Sequence, residues 1–263
     1  GLEGEEGDTG NQYASGDKPD LNLPGRQQEI LELACKSGKP VVLILLSGSA
    51  LAVNWAEEHV PAIIQGWYPG AEGGRILAET LFGDVNPEGH LPVTFYKGTE
   101  ELPAFTDYAM AGRTYRYMKQ DALYPFGYGL SYTSYSYSGL KAQESLVTDE
   151  GVNLAVTVKN TGKRTGTETV QVYVKIEKED SPNAQLKAIR KVTLRPDEEK
   201  EVRIHLTKDA FGLCDKEGNF RTCKGEAKVY VGGQAPDRRS EELTGVKVQS
   251  VTLLTEDELL WEN

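Results

Sequence analysis

After Leu123 the hydrophobic pattern of this chain changes period, so one kind of layer cannot accommodate both halves. Before that point, Val41-Val42-Leu43-Ile44-Leu45-Leu46 is apolar at every position. A strand wet on one face alternates, so an unbroken run predicts a strand covered on both faces, as in a parallel sheet. After it, apolar residues occupy alternate positions: Leu154, Val156 and Val158, then Val170, Val172 and Val174. Val202, Ile204 and Leu206 repeat the pattern, as do Ala227, Val229 and Val231, and Tyr135 and Tyr137 alternate with serines. Turn sequences separate these runs at Asn160-Thr161-Gly162, Pro196-Asp197-Glu198 and Gly232-Gly233. Short alternating strands punctuated by turns predict an antiparallel β-sandwich.

The first half reads as strand–helix alternation. Gln27 to Lys36 places Ile30, Leu31, Leu33 and Ala34 on one helical face, and Gly38 is a stop. The apolar run turns at Ser47-Gly48-Ser49 toward a short helix near Ala52 to Glu58. A second buried strand, Ala62 to Trp67, leads to a helix over Glu72 to Phe82. That helix points Ile76, Leu77 and Leu81 inward and ends at Gly83. Beyond the turn Asn86-Pro87-Glu88-Gly89, Leu91 to Phe95 predicts another short strand. The expected class is α/β: part of an α/β sandwich domain, with a parallel-rich sheet and flanking helices, followed by the antiparallel sandwich. Two or three strands are too small a parallel sheet to stand alone. The halves are expected to meet near Gly139, giving residues 1–138 and 139–263. Residues 1–24 are polar, acidic and glycine-rich without a period, which reads as a long loop, and long loops are often functional.

Charge and composition narrow the chemistry. Twenty-nine basic against 40 acidic residues leave a net charge of −11, with no basic block longer than Lys187-Ala188-Ile189-Arg190-Lys191. A phosphate backbone is held by clustered Lys and Arg, so neither nucleic acid nor an anionic membrane is the expected partner. The longest apolar run is far too short to span a bilayer. Cys35, Cys214 and Cys223 form no Cys-x-x-Cys pair. Cys214 and Cys223 facing each other across a hairpin is one option, but unpaired thiols in a reducing compartment is the favoured one. His59, His90 and His205 have no ligand spacing, so no metal or other cofactor is expected. The acidic, cysteine-poor chain shows no signal segment, which favours the cytoplasm, but it opens at Gly1-Leu2-Glu3 without Met, so the compartment stays open.

Three stretches are candidates for chemistry. Glu3-Gly4-Glu5-Glu6-Gly7-Asp8 sets glycines beside carboxylates, which lets a loop bring a carboxyl close to a ligand. Crowded acids raise at least one pKa, which suits a general acid near neutral pH. Residue types alone favour its plainer alternative, a solvated acidic terminus. The second stretch is aromatic: Trp67-Tyr68, Tyr115, Tyr117 and Tyr124-Pro125-Phe126-Gly127-Tyr128-Gly129, with Arg113 and Arg116 able to bond sugar hydroxyls. Such tyrosines also seal interfaces between domains, and that reading is favoured over sugar stacking. Gly70-Ala71-Glu72-Gly73-Gly74 precedes a helix, but it lacks dinucleotide spacing and Glu72 would repel a phosphate.

Together these segments resemble the C-terminal part of a family 3 glycoside hydrolase. The resemblance runs in order through Leu2-Glu3-Gly4-Glu5-Glu6-Gly7-Asp8, Leu23-Pro24-Gly25-Arg26-Gln27 and Gln65-Gly66-Trp67-Tyr68-Pro69-Gly70. It continues through Leu81-Phe82-Gly83-Asp84-Val85-Asn86-Pro87, Gly89-His90-Leu91-Pro92-Val93-Thr94-Phe95 and Gly112-Arg113-Thr114-Tyr115-Arg116-Tyr117. Tyr124-Pro125-Phe126-Gly127-Tyr128-Gly129-Leu130-Ser131-Tyr132 follows, and Val158-Lys159-Asn160-Thr161-Gly162 is similar to the family's fibronectin-type-III-like domain.

The resemblance implies a retaining, exo-acting β-glycosidase in which one carboxylate attacks the anomeric carbon and a second serves as acid and then base. In the family the nucleophile is an aspartate on an N-terminal (β/α)8-type barrel, and the acid/base is a glutamate on a loop of the following α/β domain. That loop matches residues 2–8, which makes Glu5 the acid/base, Glu6 the first alternate and Glu3 the second. Where the family often has Asp-Arg, this chain has Asp8-Thr9. The barrel and the opening strands of the α/β domain are not in these residues, so the expected partners are a glycoside or oligosaccharide and the barrel, with a homo-oligomer also open. Substrates implied are terminal β-D-glucosyl and β-D-xylosyl residues, nearly evenly; some relatives act on α-L-arabinofuranosides, and an N-acetylhexosaminidase is disfavoured. The alternative from another class is a non-catalytic carbohydrate-binding or assembly module.

Overall fold

A computed structural model of the protein describes residues 20–104 and 106–261. The chain divides into two compact units that are interleaved in sequence. The first takes residues up to 85, 93–112 and 120–124; the second takes 86–92, 113–119 and everything from 125 onward.

The first unit follows the expected alternation: α1 (Gln27–Lys36), β1 (Val42–Leu45), α2 (Asn54–His59), β2 (Ala62–Gln65) and α3 (Gly73–Phe82). β1 and β2 are parallel, in register from Val42 opposite Ala62 to Leu45 opposite Gln65. α3 stops at Gly83, which adopts the left-handed conformation (φ 79°) that glycine enters without steric cost. The apolar faces differ from expectation. Ile30 and Leu33 of α1 are 63% and 64% exposed, and Ile76, Leu81 and Phe82 of α3 are also exposed. Periodicity finds the apolar face of a helix, and only a facing layer buries it; among the described residues Leu31 is the sole buried residue of α1. The strand expected over 91–95 is also absent as a regular element. Phe95 makes an isolated antiparallel bridge to Tyr124, and Leu91 N–H donates to the Tyr128 carbonyl. Pro92 and Pro125 have no N–H to donate, so no ladder propagates through them.

The second unit opens with α4 (Thr114–Tyr117) and is built on antiparallel strands. These are β3 (Tyr135–Ala142), β4 (Val152–Asn160), β5 (Gly166–Ile176), β6 (Gln185–Leu194) and β7 (Glu199–Leu206). The short β8 (Leu213–Cys214) and β9 (Phe220–Thr222) follow, then β10 (Gly225–Gly232), α5 (Arg238–Thr244), β11 (Gln249–Thr255) and β12 (Glu258–Trp261). One sheet has the order β11-β10-β5-β6 and the other β3-β4-β7, with a small third sheet β12-β9-β8. Every alternating run singled out in the sequence faces the core they enclose: Val156, Val158, Val170, Val172, Val229 and Val231 are at most 1% exposed. Gly151 (φ +89°) closes the turn before β4, where a Cβ would sit 2.0 Å from the Leu206 carbonyl oxygen, so only glycine fits. Cys214 lies opposite Phe220 in the β8–β9 pair and not opposite Cys223, and all three cysteines are free thiols.

The segment 86–92 is tied onto this sandwich. Asn86 Oδ1 accepts from Ser131 Oγ and Tyr132 N–H, its Nδ2 donates to the Thr165 carbonyl, and Glu88 pairs with Lys191 at 2.8 Å. His90 is held here with Nδ1 buried and unpaired among the described residues. Burial pushes its imidazole below the ordinary range, the backbone of Glu88 and Gly233 opposes that, and the Lys191 charge adds to it. The unfolded chain therefore takes up a proton at higher pH than the folded chain does. Stability is expected to fall as pH drops below about 6.5, until the folded-state value is passed. Glu168 is displaced the other way: burial raises its carboxyl although Tyr137 donates to it at 2.5 Å. Its contribution is complete below about 4.3 and is lost as pH rises through the raised value. Thermal melts across pH 4–8 are expected to show a flatter acid side for His90→Gln and, for Glu168→Gln, a gain at neutral pH that fades toward pH 4. An unchanged pH profile in His90→Gln would rule out this linkage.

Candidate functional site

Glu3, Glu5 and Glu6 lie outside the described residues. The described chain begins close to the exit of β1: the Leu21 carbonyl accepts from Ala52 N–H at 2.7 Å. Ala52 follows the turn at the C-terminal end of β1, and in open α/β sheets ligands bind outside the carboxyl ends of the strands.

That edge is built from Ser47-Gly48-Ser49 after β1 and Gly66-Trp67-Tyr68 after β2. Parallel pairing in register brings the two exits together, and Gly66 N–H donates to the Leu45 carbonyl at 2.8 Å. Gln65 Nε2 spans the pair, donating to Ser47 O at 3.1 Å and Ser47 Oγ at 3.3 Å, while Ser47 Oγ donates to Ser49 O. The Tyr68 ring lies over Gly48, where a Cβ would come within 2.5 Å of Cε2. Trp67 holds a left-handed backbone (φ 51°), a conformation that costs a bulky residue of order 1–3 kcal/mol and persists where packing fixes it. Its ring meets Phe95 edge-on at 6.2 Å, and the fully buried Phe95 meets Tyr124 in the same manner. The result is a half-buried indole aimed by a rigid aromatic stack, with a 54% exposed tyrosine beside it.

The other aromatic candidates belong elsewhere. Tyr115 stacks on Phe126 at 4.1 Å, and both rings stand edge-on to Tyr173 in the core of the second unit. The Tyr115 hydroxyl oxygen accepts from Leu186 N–H, and Asn183 Nδ2 donates to the carbonyls of Tyr115 and Met118. These rings spend their faces on one another, so the aromatic stretch resolves into two packing clusters, one in each unit. Glu72 and Glu79 both pair with Arg75 at the start of α3, which leaves a carboxylate where a phosphate would need to sit. Among the described residues no group of three His, Cys, Asp or Glu has the proximity to hold a metal, and no helix is long and apolar enough to cross a membrane. Ser47, Ser49 and Gln65 were not singled out from the sequence. The available signal was their place, polar residues directly at the ends of apolar strands.

Comparison with known proteins agrees with this layout. Residues 2–132 match the glycosyl hydrolase family 3 C-terminal domain, and residues 168–235 match a fibronectin type III-like domain. A xylan 1,4-β-xylosidase of Xylanibacter ruminicola is 39% identical over 92% of this chain, and a β-glucosidase of Bacteroides ovatus is 35% identical over 85%. The chain spans 28% and 33% of the length of those two relatives. Among solved structures, a β-glucosidase of Listeria innocua in complex with glucose superposes with a TM-score of 0.78 at 29% identity, covering 94% of this chain and 35% of that one. β-Glucosidase 3B of Thermotoga neapolitana in complex with α-D-glucose gives 0.79 at 29% identity, covering 93% of this chain and 36% of that one.

Proposed function

Because the chain belongs to glycosyl hydrolase family 3, we propose that it is the acid/base-bearing part of a retaining, exo-acting β-glycosidase. The observation that carries this reading is a match running through both domains to a β-xylosidase and a β-glucosidase, over 85% or more of the chain in each case. The substrate is a terminal β-D-glucosyl or β-D-xylosyl residue of an oligosaccharide or aryl glycoside. Residues 1–138 supply the α/β part with its acid/base loop in 1–24, and residues 139–263 the fibronectin-type-III-like sandwich.

The mechanism is a double displacement. An aspartate on a (β/α)8-type barrel outside these 263 residues attacks the anomeric carbon while Glu5 protonates the departing oxygen. Glu5, now ionised, takes a proton from water, which attacks the glycosyl-enzyme and releases a sugar of unchanged anomeric configuration. Proton NMR on the enzyme that combines this chain with the barrel is expected to show the β-anomer of the sugar as first product from nitrophenyl β-glucoside or β-xyloside. An α-anomer first would overturn double displacement. The 263-residue chain alone is expected to give no turnover, and a normal rate from it would overturn the division of the two carboxylates.

A further inference from the structure

One thiol of the sandwich meets a nucleophile that is not another thiol. Lys178 Nζ donates to Cys223 Sγ at 3.5 Å, across 45 residues of sequence. The sheet fixes both backbones. β5 and β10 pair as far as Ile176 opposite Ala227. Just beyond that rung, Glu177 N–H donates to the Glu226 carbonyl and Lys178 N–H to the Ile176 carbonyl, both at 2.9 Å. Cys223 lies between β9 and β10, and its carbonyl accepts from Thr255 Oγ1 of β11. The two side chains line one cavity of about 320 Å³, and every residue around it is among the described ones. Its other cations are occupied: Arg221 pairs with Asp257 at 3.1 Å and Lys224 with Glu256 at 3.9 Å. Lys178 has no carboxylate partner among the described residues, so the sulfur is what its amine meets.

A half-buried sulfur facing such a cavity is open to a small oxidant, and Cys223 has no disulfide partner. With hydrogen peroxide the sulfur attacks one oxygen, the O–O bond breaks, and a sulfenic acid and one water form. A sulfenic acid is an electrophile at sulfur and condenses with a thiol or a nitrogen within reach. Here that nitrogen is the Lys178 amine. After the ammonium gives one proton to water, its lone pair forms an S–N bond. The S–O bond breaks, and hydroxide leaves with a second proton as water. The sulfur is oxidised by two electrons and one peroxide is reduced by two. We propose that Cys223 and Lys178 are the two ends of a peroxide-formed, thiol-reversible cross-link. The bond joins the exit of β5 to the entry of β10 and closes the intervening chain into a loop, which restricts the unfolded state as a disulfide does. It involves neither Glu5 nor the glycoside and stands apart from the catalytic reading.

The test treats the enzyme that combines this chain with the barrel with a few equivalents of hydrogen peroxide, then maps tryptic peptides without reductant. Residues 176–187 are expected to be joined to residues 222–224, uncleaved at Lys178 and about 2 Da lighter than the two peptides summed. Dithiothreitol is expected to release them. Lys178→Arg keeps the positive charge but offers no amine lone pair. It is expected to abolish the joined species and to raise trapping of the Cys223 sulfenic acid by dimedone at least about fivefold. Cys223→Ser is expected to remove both signals. Cys214, an exposed thiol, is the internal control, and its labelling is expected to be the same with and without Lys178. Equal dimedone labelling of Cys223 in the unsubstituted and Lys178→Arg proteins would overturn the proposal. So would Cys223 ending as a sulfinic acid, or bonded to a backbone nitrogen, while trypsin still cleaves at Lys178.

Discussion

Replacing Glu5 by glutamine is expected to lower kcat/KM for an unactivated β-glycoside by roughly 10²–10⁴-fold, the usual contribution of a positioned acid/base. The amide fills the same volume but has no proton to give to the departing oxygen, so the loss grows as the leaving group becomes more basic. With a dinitrophenyl glycoside the first displacement survives and the second, which needs a base, becomes slow. Azide, a nucleophile that needs no base, is expected to restore turnover and to give a β-glycosyl azide. The first displacement needs the acid protonated, so the variant is also expected to lose the alkaline limb of the profile. Glu6→Gln and Glu3→Gln are expected to retain activity within a few-fold. The full loss with azide rescue at either of those positions would move the assignment there.

The second large effect is on stability and lies at Asn160. Its side chain is fully buried with every hydrogen-bonding position used. Nδ2 donates to the carbonyls of Arg164 (2.7 Å) and Leu194 (3.0 Å), while Oδ1 accepts from Thr133 Oγ1 (2.7 Å) and Gly162 N–H (3.0 Å). Truncation orphans four groups on three segments of the sandwich at once, each costing about 1–3 kcal/mol where water cannot reach. Asn160→Ala is expected to destabilise by about 3–4 kcal/mol, near 10 °C in Tm for a unit of this size. Asn160→Asp is expected to be as damaging, because it keeps the acceptor and turns a carboxylate on two carbonyl oxygens. Asn153→Ala, an exposed asparagine on the same strand, serves as the control and is expected within about 0.5 kcal/mol. Equal effects at Asn153 and Asn160 in denaturant unfolding would show that the buried network contributes nothing of its own.

How legible these features were in the sequence follows from what each physical signal reports. The strands of the sandwich alternate because each has one buried and one wet face, so Val156, Val172 and Val229 announced their direction before any coordinate. Ile76 and Leu81 carried the same kind of signal on a helix and yet are exposed, because a period reports which face is apolar and not whether a layer lies against it. Leu91 to Phe95 resembled a strand by composition, and Pro92 decided otherwise by removing a donor. At the site, Trp67 and Tyr68 were legible as aromatic residues, but the left-handed backbone of Trp67 and its aim against Phe95 arise from contacts made 28 residues apart. Asn160 read as a turn residue and as part of the fibronectin-like segment, but not as a buried hub, because Thr133 and Leu194, two of its four partners, lie on segments that no local pattern connects to it.

The tie between Glu88 and Lys191 has a consequence for how the protein is made. The two residues are separated by 103 positions, so on the ribosome the first waits for the second. At about 5–20 residues per second that wait is roughly 5–20 s. During it the segment 86–92, and after that segment Tyr115 and Phe126, emerge ahead of β5 and β6, the strands that receive them, and His90 and Phe126 wait in water. The second unit therefore assembles late and as a whole. Its early segments are the part of the nascent chain most in need of shelter, and a pause that lengthens their wait acts on yield before any change in the finished protein can be seen.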